Sequence, residues 1–285
     1  MTAQILNLDL QEIFHYAEAG IRRAAIFSGL ALNKKNTISI NDLNIVDGFF
    51  LIPNNYDNDE IIKEYRLFTT KNALREMVEL FEQTLIRLYE MLKITNNVKT
   101  SNELEKIPAK TKAFSKKSFP GKLIEVDALL NNKLSDQKEF WQSVQDIRNS
   151  ITHYIGITHK EKIDITIPKF TSILKEKDTG KENILSFGDF IEPPRLTSEY
   201  ELFLKVDYIN KTFVHGALIS FTDEEIVMLI LGMKFSLDSL RKIILEHLIE
   251  KNIPIEDKTT NNLIKTVDEL NSYINKTPQK EKAVP

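Results

Sequence analysis

Apolar residues recur at helical spacing in four stretches of the chain. Between 8 and 32, Leu10, Ile13, Phe14, Ala17, Ile21 and Ala24 fall on one side of a wheel, with Asp9 placed to cap the helix. The stretch 70–94 carries Leu74, Met77, Leu80, Phe81, Leu85, Leu88, Tyr89 and Leu92 as one stripe and predicts a long helix. A shorter helix to about Leu67 is expected before it, opened by Asp57 and Glu60 as a capping box. After a short helix at "KLIEVDALLNN", the segment 136–155 predicts another helix, with Asp136 and Glu139 as a capping box and Gly156 as its stop. Thr222 and Glu225 cap a last long helix over 223–251, whose apolar face includes Ile226, Leu229, Met233, Leu237, Leu240, Ile244 and Leu248.

Between 161 and 221 the period changes from helical to alternating. "KIDITIPKF" sets Ile163, Ile165 and Ile167 against polar neighbours, and "ILSFGDFI", "YELFLKVDYI" and "TFVHGALISF" also read as strands. The last two are expected to form a hairpin turning near Asn210. The fold class that follows is mainly α: an antiparallel helical bundle with a small antiparallel β insertion before the last long helix. Three regions are expected: a helical or irregular extension over 1–66, the bundle with its β insertion over 67–255, and a polar tail over 256–285.

Composition narrows the function. The chain has no cysteine, which excludes thiolate zinc sites and cysteine nucleophiles. No signal peptide is read at the start, and the most apolar run, "IVMLILGMKF", is broken by Lys234 and too short for a membrane span, so a cytoplasmic protein is expected. Net charge is −3, so a nucleic-acid role requires a local patch. One candidate is "KIPAKTKAFSKKSFPGK", 106–122, where Lys110, Lys112, Lys116 and Lys117 stand without an acidic neighbour and Phe114 and Phe119 are interleaved. It reads either as an RNA-binding loop or as a solvated loop whose phenylalanines fold back into the core. No histidine pair has metal-ligand spacing with a nearby Glu, and no phosphate-binding glycine loop is present, so neither a metal nor a cofactor is expected.

The sharpest local feature is "RNSITH", 148–153, on the last turns of the 136–155 helix. On a wheel, Phe140, Val144, Ile147, Ile151 and Tyr154 form the face expected in the core, and Gln142, Asp146, Asn149 and His153 form the opposite face. Arg148 lies on the flank beside Trp141, about 140° from His153, so the two meet only if the arginine bends. Arginine suits bidentate phosphate contact, and imidazole can act as base or acid near neutral pH. His159, His215, His15 and His247 lack such partners and read as structural.

Arg-Asn followed by three residues and His, at the end of a bundle helix, resembles the catalytic motif of HEPN-domain ribonucleases. The resemblance covers the motif and the surrounding bundle, about 70–155 with 222–252. It implies a metal-independent endoribonuclease that leaves 2′,3′-cyclic phosphate ends, with Arg148, Asn149 and His153 as the site. It also implies a homodimer whose two motif helices form one composite cleft, and a toxin–antitoxin or phage-defence setting with a restraining partner. The family includes inactive members that serve as binding modules. Toxins of the family that pair with nucleotidyltransferase antitoxins carry a tyrosine two positions after the histidine; here that place is Ile155, and the tyrosine is Tyr154.

Overall fold

The computed structural model describes residues 9–32, 58–97, 100–154, 156–185 and 200–253. Asp57 and the segments 33–57, 186–199 and 254–285, including the polar tail, lie outside them. The order is α1 (Leu10–Leu32), α2 (Asn58–Asn97), α3 (Ser101–Glu105), α4 (Ile107–Ser115), α5 (Phe119–Leu129), α6 (Ser135–His153), β1 (Lys162–Glu176), β2 (Glu182–Leu185), β3 (Tyr200–Val214) and α7 (Asp223–Glu250). The fold is mainly helical, with a three-stranded antiparallel sheet ahead of the last helix.

Helix α2 is the spine. It runs unbroken through 67–70, where two helices were expected, because Thr69 is buried and Arg66 bonds back to the Ala31 carbonyl of α1. Residues 66 and 67, taken from sequence as a division, lie within it. Helix α1 packs along α2 through small residues: Ala17, Gly20 and Ala24 are buried. A β-carbon on Gly20 would stand 3.2 Å from the Glu76 carbonyl oxygen, so glycine sets the close approach of the two helices. Thr84 spans the seam, its hydroxyl accepting from the Ala17 amide at 3.1 Å.

Trp141 joins α6 to both neighbours. Its ring stacks on Phe81 of α2 with centroids 3.4 Å apart, and its Nε1 donates to Ser236 Oγ of α7 at 2.7 Å. Burying such a ring with its N–H satisfied joins apolar gain to a fixed orientation. The start of α6 differs from expectation: Leu134 precedes it without a side-chain cap. The turn before it is held instead by buried Asp127, which accepts from the Leu134 amide at 2.8 Å and pairs with Lys138 at 2.5 Å. The capping box of α7 is present in both halves, Thr222 and Glu225.

The lysine stretch is not a loop. It forms α4 and the start of α5, each with a proline in its first turn, the position where a missing N–H costs least. Phe114 stacks on Tyr89 at 3.9 Å and Phe119 is buried near Phe81.

The sheet order is β2-β1-β3. The expected hairpin at Asn210 is absent: β3 passes straight through it, paired with β1 from Lys162↔Val214 to Glu176↔Tyr200. Asn210 Oδ1 accepts from Thr166 Oγ1 across that pairing at 2.9 Å, so its polar side chain serves the ladder rather than a turn. Ile163, Ile165 and Ile167 enter the core, while the alternate residues face outward.

Candidate functional site at the end of α6

Helix α6 ends where backbone bonds from Tyr154 and Gly156 both reach the Ser150 carbonyl, at 3.0 Å each, with Gly156 at φ +83°. The Gly156 bond spans six positions, and its positive φ is one that glycine adopts without strain. The segment after it is tied down by the 214–219 loop: Thr158 donates to the Ala217 carbonyl at 2.9 Å and Ile219 to the Gly156 carbonyl at 2.8 Å. The last turn of α6 therefore rests on a fixed base.

Arg148 points toward α2. Its Nη2 lies 2.5 Å from Glu79 Oε1, and its side chain keeps only 17% of its accessible surface. Its Nη1 donates to Asn149 Oδ1 at 3.1 Å, and Gln145 Nε2 donates to the same oxygen at 3.2 Å. Nε of Arg148 is buried with no bonding partner, as is Oε1 of Gln145. Glu79 also accepts from Arg75 Nε at 2.9 Å, so one carboxylate serves two guanidinium groups. Burial pushes the Glu79 carboxyl up, but the hydrogen bonds and charges of Arg148 and Arg75 outweigh it and hold the group below the usual carboxylate value.

His153 is exposed, and no hydrogen bond to its ring is found among the described residues. It stands one turn beyond Asn149 on the same stripe. The structure thus gathers Arg148 and Asn149 by direct contact and leaves His153 open beside them. Tyr154, expected in the core, is instead 47% exposed and stacks on His159 at 4.3 Å, whose Nδ1 lies 3.0 Å from buried Ser150 Oγ. Ile157, Val214 and Leu218 are also exposed around this corner. His247 is buried, His15 is exposed, and His215 follows β3 with its Nδ1 3.2 Å from the His159 carbonyl oxygen.

Sequence reasoning missed Glu79, Arg75 and Gln145. The Arg75–Glu79 spacing is a visible i,i+4 pair, but its junction with Arg148 spans 69 positions and appears only in the fold. Lys110, Lys112, Lys116 and Lys117 are exposed, and Lys117 pairs with Glu125 at 2.5 Å. Phe114 and Phe119 fold back into the core, as the second of the two readings of this stretch has it. Phe114 of α4 stacks on Tyr89 of α2, whereas the Lys117 carbonyl accepts from Lys122 Nζ, which also pairs with Glu82, three positions from Glu79.

No helix among the described residues is long and apolar enough to cross a membrane, and no group of three or more His, Asp or Glu residues among them is placed to hold a metal ion. The chain matches no protein-family model, no curated protein and no solved structure.

Proposed function

We propose that this chain is a HEPN-like endoribonuclease that needs no metal, with Arg148, Asn149 and His153 as its site. The observation that carries the reading is the bond from Arg148 Nη1 to Asn149 Oδ1, which bends the guanidinium onto the stripe that exposed His153 continues. Asn149 thus touches Arg148 directly and stands one helical turn before His153 on the same stripe.

In this mechanism an imidazole takes the proton of a ribose 2′-OH, whose oxygen attacks the adjacent phosphorus. The bond to the 5′-oxygen breaks, that oxygen receives a proton from a second acid, and the product ends in a 2′,3′-cyclic phosphate. Arg148 offsets the charge that builds on the phosphate oxygens. One chain presents a single free imidazole at this corner. A second copy related by two-fold symmetry supplies the other. The exposed Tyr154, Ile157, Val214 and Leu218 support such a pairing, since apolar side chains gathered at one corner favour contact with protein. A role as a toxin or phage-defence effector held by a partner belongs to the same reading.

A specific observation favours a second reading, a binding module without activity. Arg148 already has a carboxylate partner, and a phosphate must share or displace Glu79. One experiment separates the two. Mixed RNA is incubated with the purified chain in excess chelator, beside His153→Ala. Cleavage by the wild type alone, with cyclic phosphate ends, is the expected result. Intact RNA in both lanes selects the binding module, and cleavage by both proteins removes His153 from the site.

A further inference from the structure

The polar stripe of α6 does not stop at the motif. Going back from His153 and Asn149, Asp146, Gln142 and Glu139 follow at spacings of three and four, so they share one face. That stretch of the face is one wall of a groove of about 770 Å³, closed by the β1–β3 ribbon and by α7. Asp146, the last residue of α6 to line it, stands roughly 10 Å along the helix axis from His153. On a wheel Arg148 lies about 100° to one side of Asn149, and Ser143, which lines the groove, about 120° to the other. A strand laid across Asn149 with one phosphate toward Arg148 therefore carries its next nucleotide over the groove.

The interior suits a flat, uncharged ring. Phe140, Phe170 and Phe235 are half-buried in it, with the last two centroids 4.5 Å apart. Tyr208, 66% exposed, stands opposite Pro168 in the strand register and forms the lip. The charges at the rim largely cancel: Asp146 pairs with Lys160 at 2.6 Å, Asp164 with Lys162 at 2.8 Å and Asp238 with Lys234 at 2.5 Å. Gln142 and Glu139 are exposed along the wall, and no partner for either side chain is found among the described residues. An amide that donates and accepts, beside a carboxylate that accepts, matches the mixed N–H and C=O edge of a nucleobase. The volume is within the range of small-molecule sites.

We propose that this groove is the base-binding subsite of the RNA site. It takes one unstacked nucleobase of a single strand, from a nucleotide flanking the phosphate held at Arg148 and His153. The inference rests on the reading of that corner as an RNA site. The base stacks among the phenylalanines beneath Tyr208, and its edge meets Gln142 and Glu139; splayed bases are held on aromatic faces in this way. Lys160 at the mouth meets the backbone, since its ion pair with Asp146 is half exposed and is shared with a phosphate at little cost.

The test has two arms, both on the full chain. In the first, a short single-stranded RNA is incubated in chelator with wild type and with Tyr208→Ala. The same RNA is remade with one abasic ribose stepped through every position. In the second, His153→Ala is titrated with end-labelled oligoadenylate and oligouridine, and with a ribose-phosphate chain of equal length that has no bases. Binding is read by fluorescence anisotropy. The expected result is that wild type cuts, and that an abasic ribose next to the cut raises KM about tenfold with kcat little changed. Tyr208→Ala cuts intact and abasic RNA alike, with its melting temperature unchanged or nearly so. His153→Ala holds the base-bearing chains about tenfold tighter than the bare one, a preference lost when Tyr208→Ala is added. Cleavage with a flat abasic scan, or an abasic effect that survives in Tyr208→Ala, overturns the subsite and leaves the nuclease standing. No cleavage, with a base preference that Tyr208→Ala removes, overturns the nuclease and supports the subsite. Equal affinity for chains with and without bases, or no binding at all, overturns the subsite.

Discussion

Arg148 and His153 belong to one motif but stand in opposite physical situations. His153 is exposed and no bond to its ring is found among the described residues, so His153→Ala is expected to change stability by no more than about 0.5 kcal/mol. Arg148 is mostly buried against a carboxylate that is itself 38% exposed, which places the pair nearer the surface limit than the buried one. Arg148→Ala is expected to cost about 1–2 kcal/mol, part of it from the lost packing of the stem. Denaturant midpoints of the two variants check this. Equal, negligible shifts would mean that the Glu79 contact contributes nothing in solution. The difference also decides which variant is informative: loss of activity in His153→Ala reports chemistry, whereas in Arg148→Ala it mixes chemistry with folding. The polar stripe of Asn149 and His153 was legible in the sequence because it follows from spacing on one helix. The anchoring of Arg148 was not, because Glu79 comes from a different helix and nothing local to either residue announces the pair.

At the scale of elements, the junction of β1 with α7 turns on one missing side chain. A β-carbon on Gly232 would lie 2.7 Å from Pro168 Cγ and 3.0 Å from its Cδ. Gly232→Ala gains up to about 1 kcal/mol of helix propensity, yet pushing the strand off the helix costs about 1–3 kcal/mol. A net loss of stability is expected, and Pro168→Ala in the same chain should recover part of it. A Gly232→Ala protein as stable as the parent would show that the strand is free to shift. The same elements show what sequence pattern conveys. Helical stripes and alternating isoleucines placed α1, α6, α7 and β1 correctly, because burial on one face imposes a period. Breaks were misread. The threonines at 69 and 70 and Asn210 resemble punctuation locally, but tertiary contacts carry helix α2 through the first and the β1 ladder carries β3 through the second. The lysine run hid two helices whose prolines, Pro108 and Pro120, were themselves first-turn signals.

The whole molecule closes where three helices meet around His247. The ring is buried near the end of α7, and its Nε2 lies 2.8 Å from Asn96 Oδ1 of α2, so that nitrogen carries the proton. Asn96 in turn donates to the Leu129 carbonyl at the end of α5 at 3.0 Å. Nδ1 has no partner. Burial, with Lys251 and Lys133 nearby and only partly countered by Glu250, lowers the pKa below its ordinary value of 6.5. The unfolded chain then binds more protons than the folded one just below pH 6.5, so stability present above that value is lost as pH falls through it toward the folded pKa. Glu79 and Glu225 act in a separate window, because their depressed values make their contribution fade only below about pH 4.5. A melting temperature that falls between pH 7 and pH 5 is therefore expected, and His247→Leu should flatten that slope even though it lowers stability overall by leaving Asn96 Oδ1 without its donor. A wild-type profile that is level over this range, or a slope that survives in the variant, would show that His247 takes up its proton without opening the α2–α5–α7 junction.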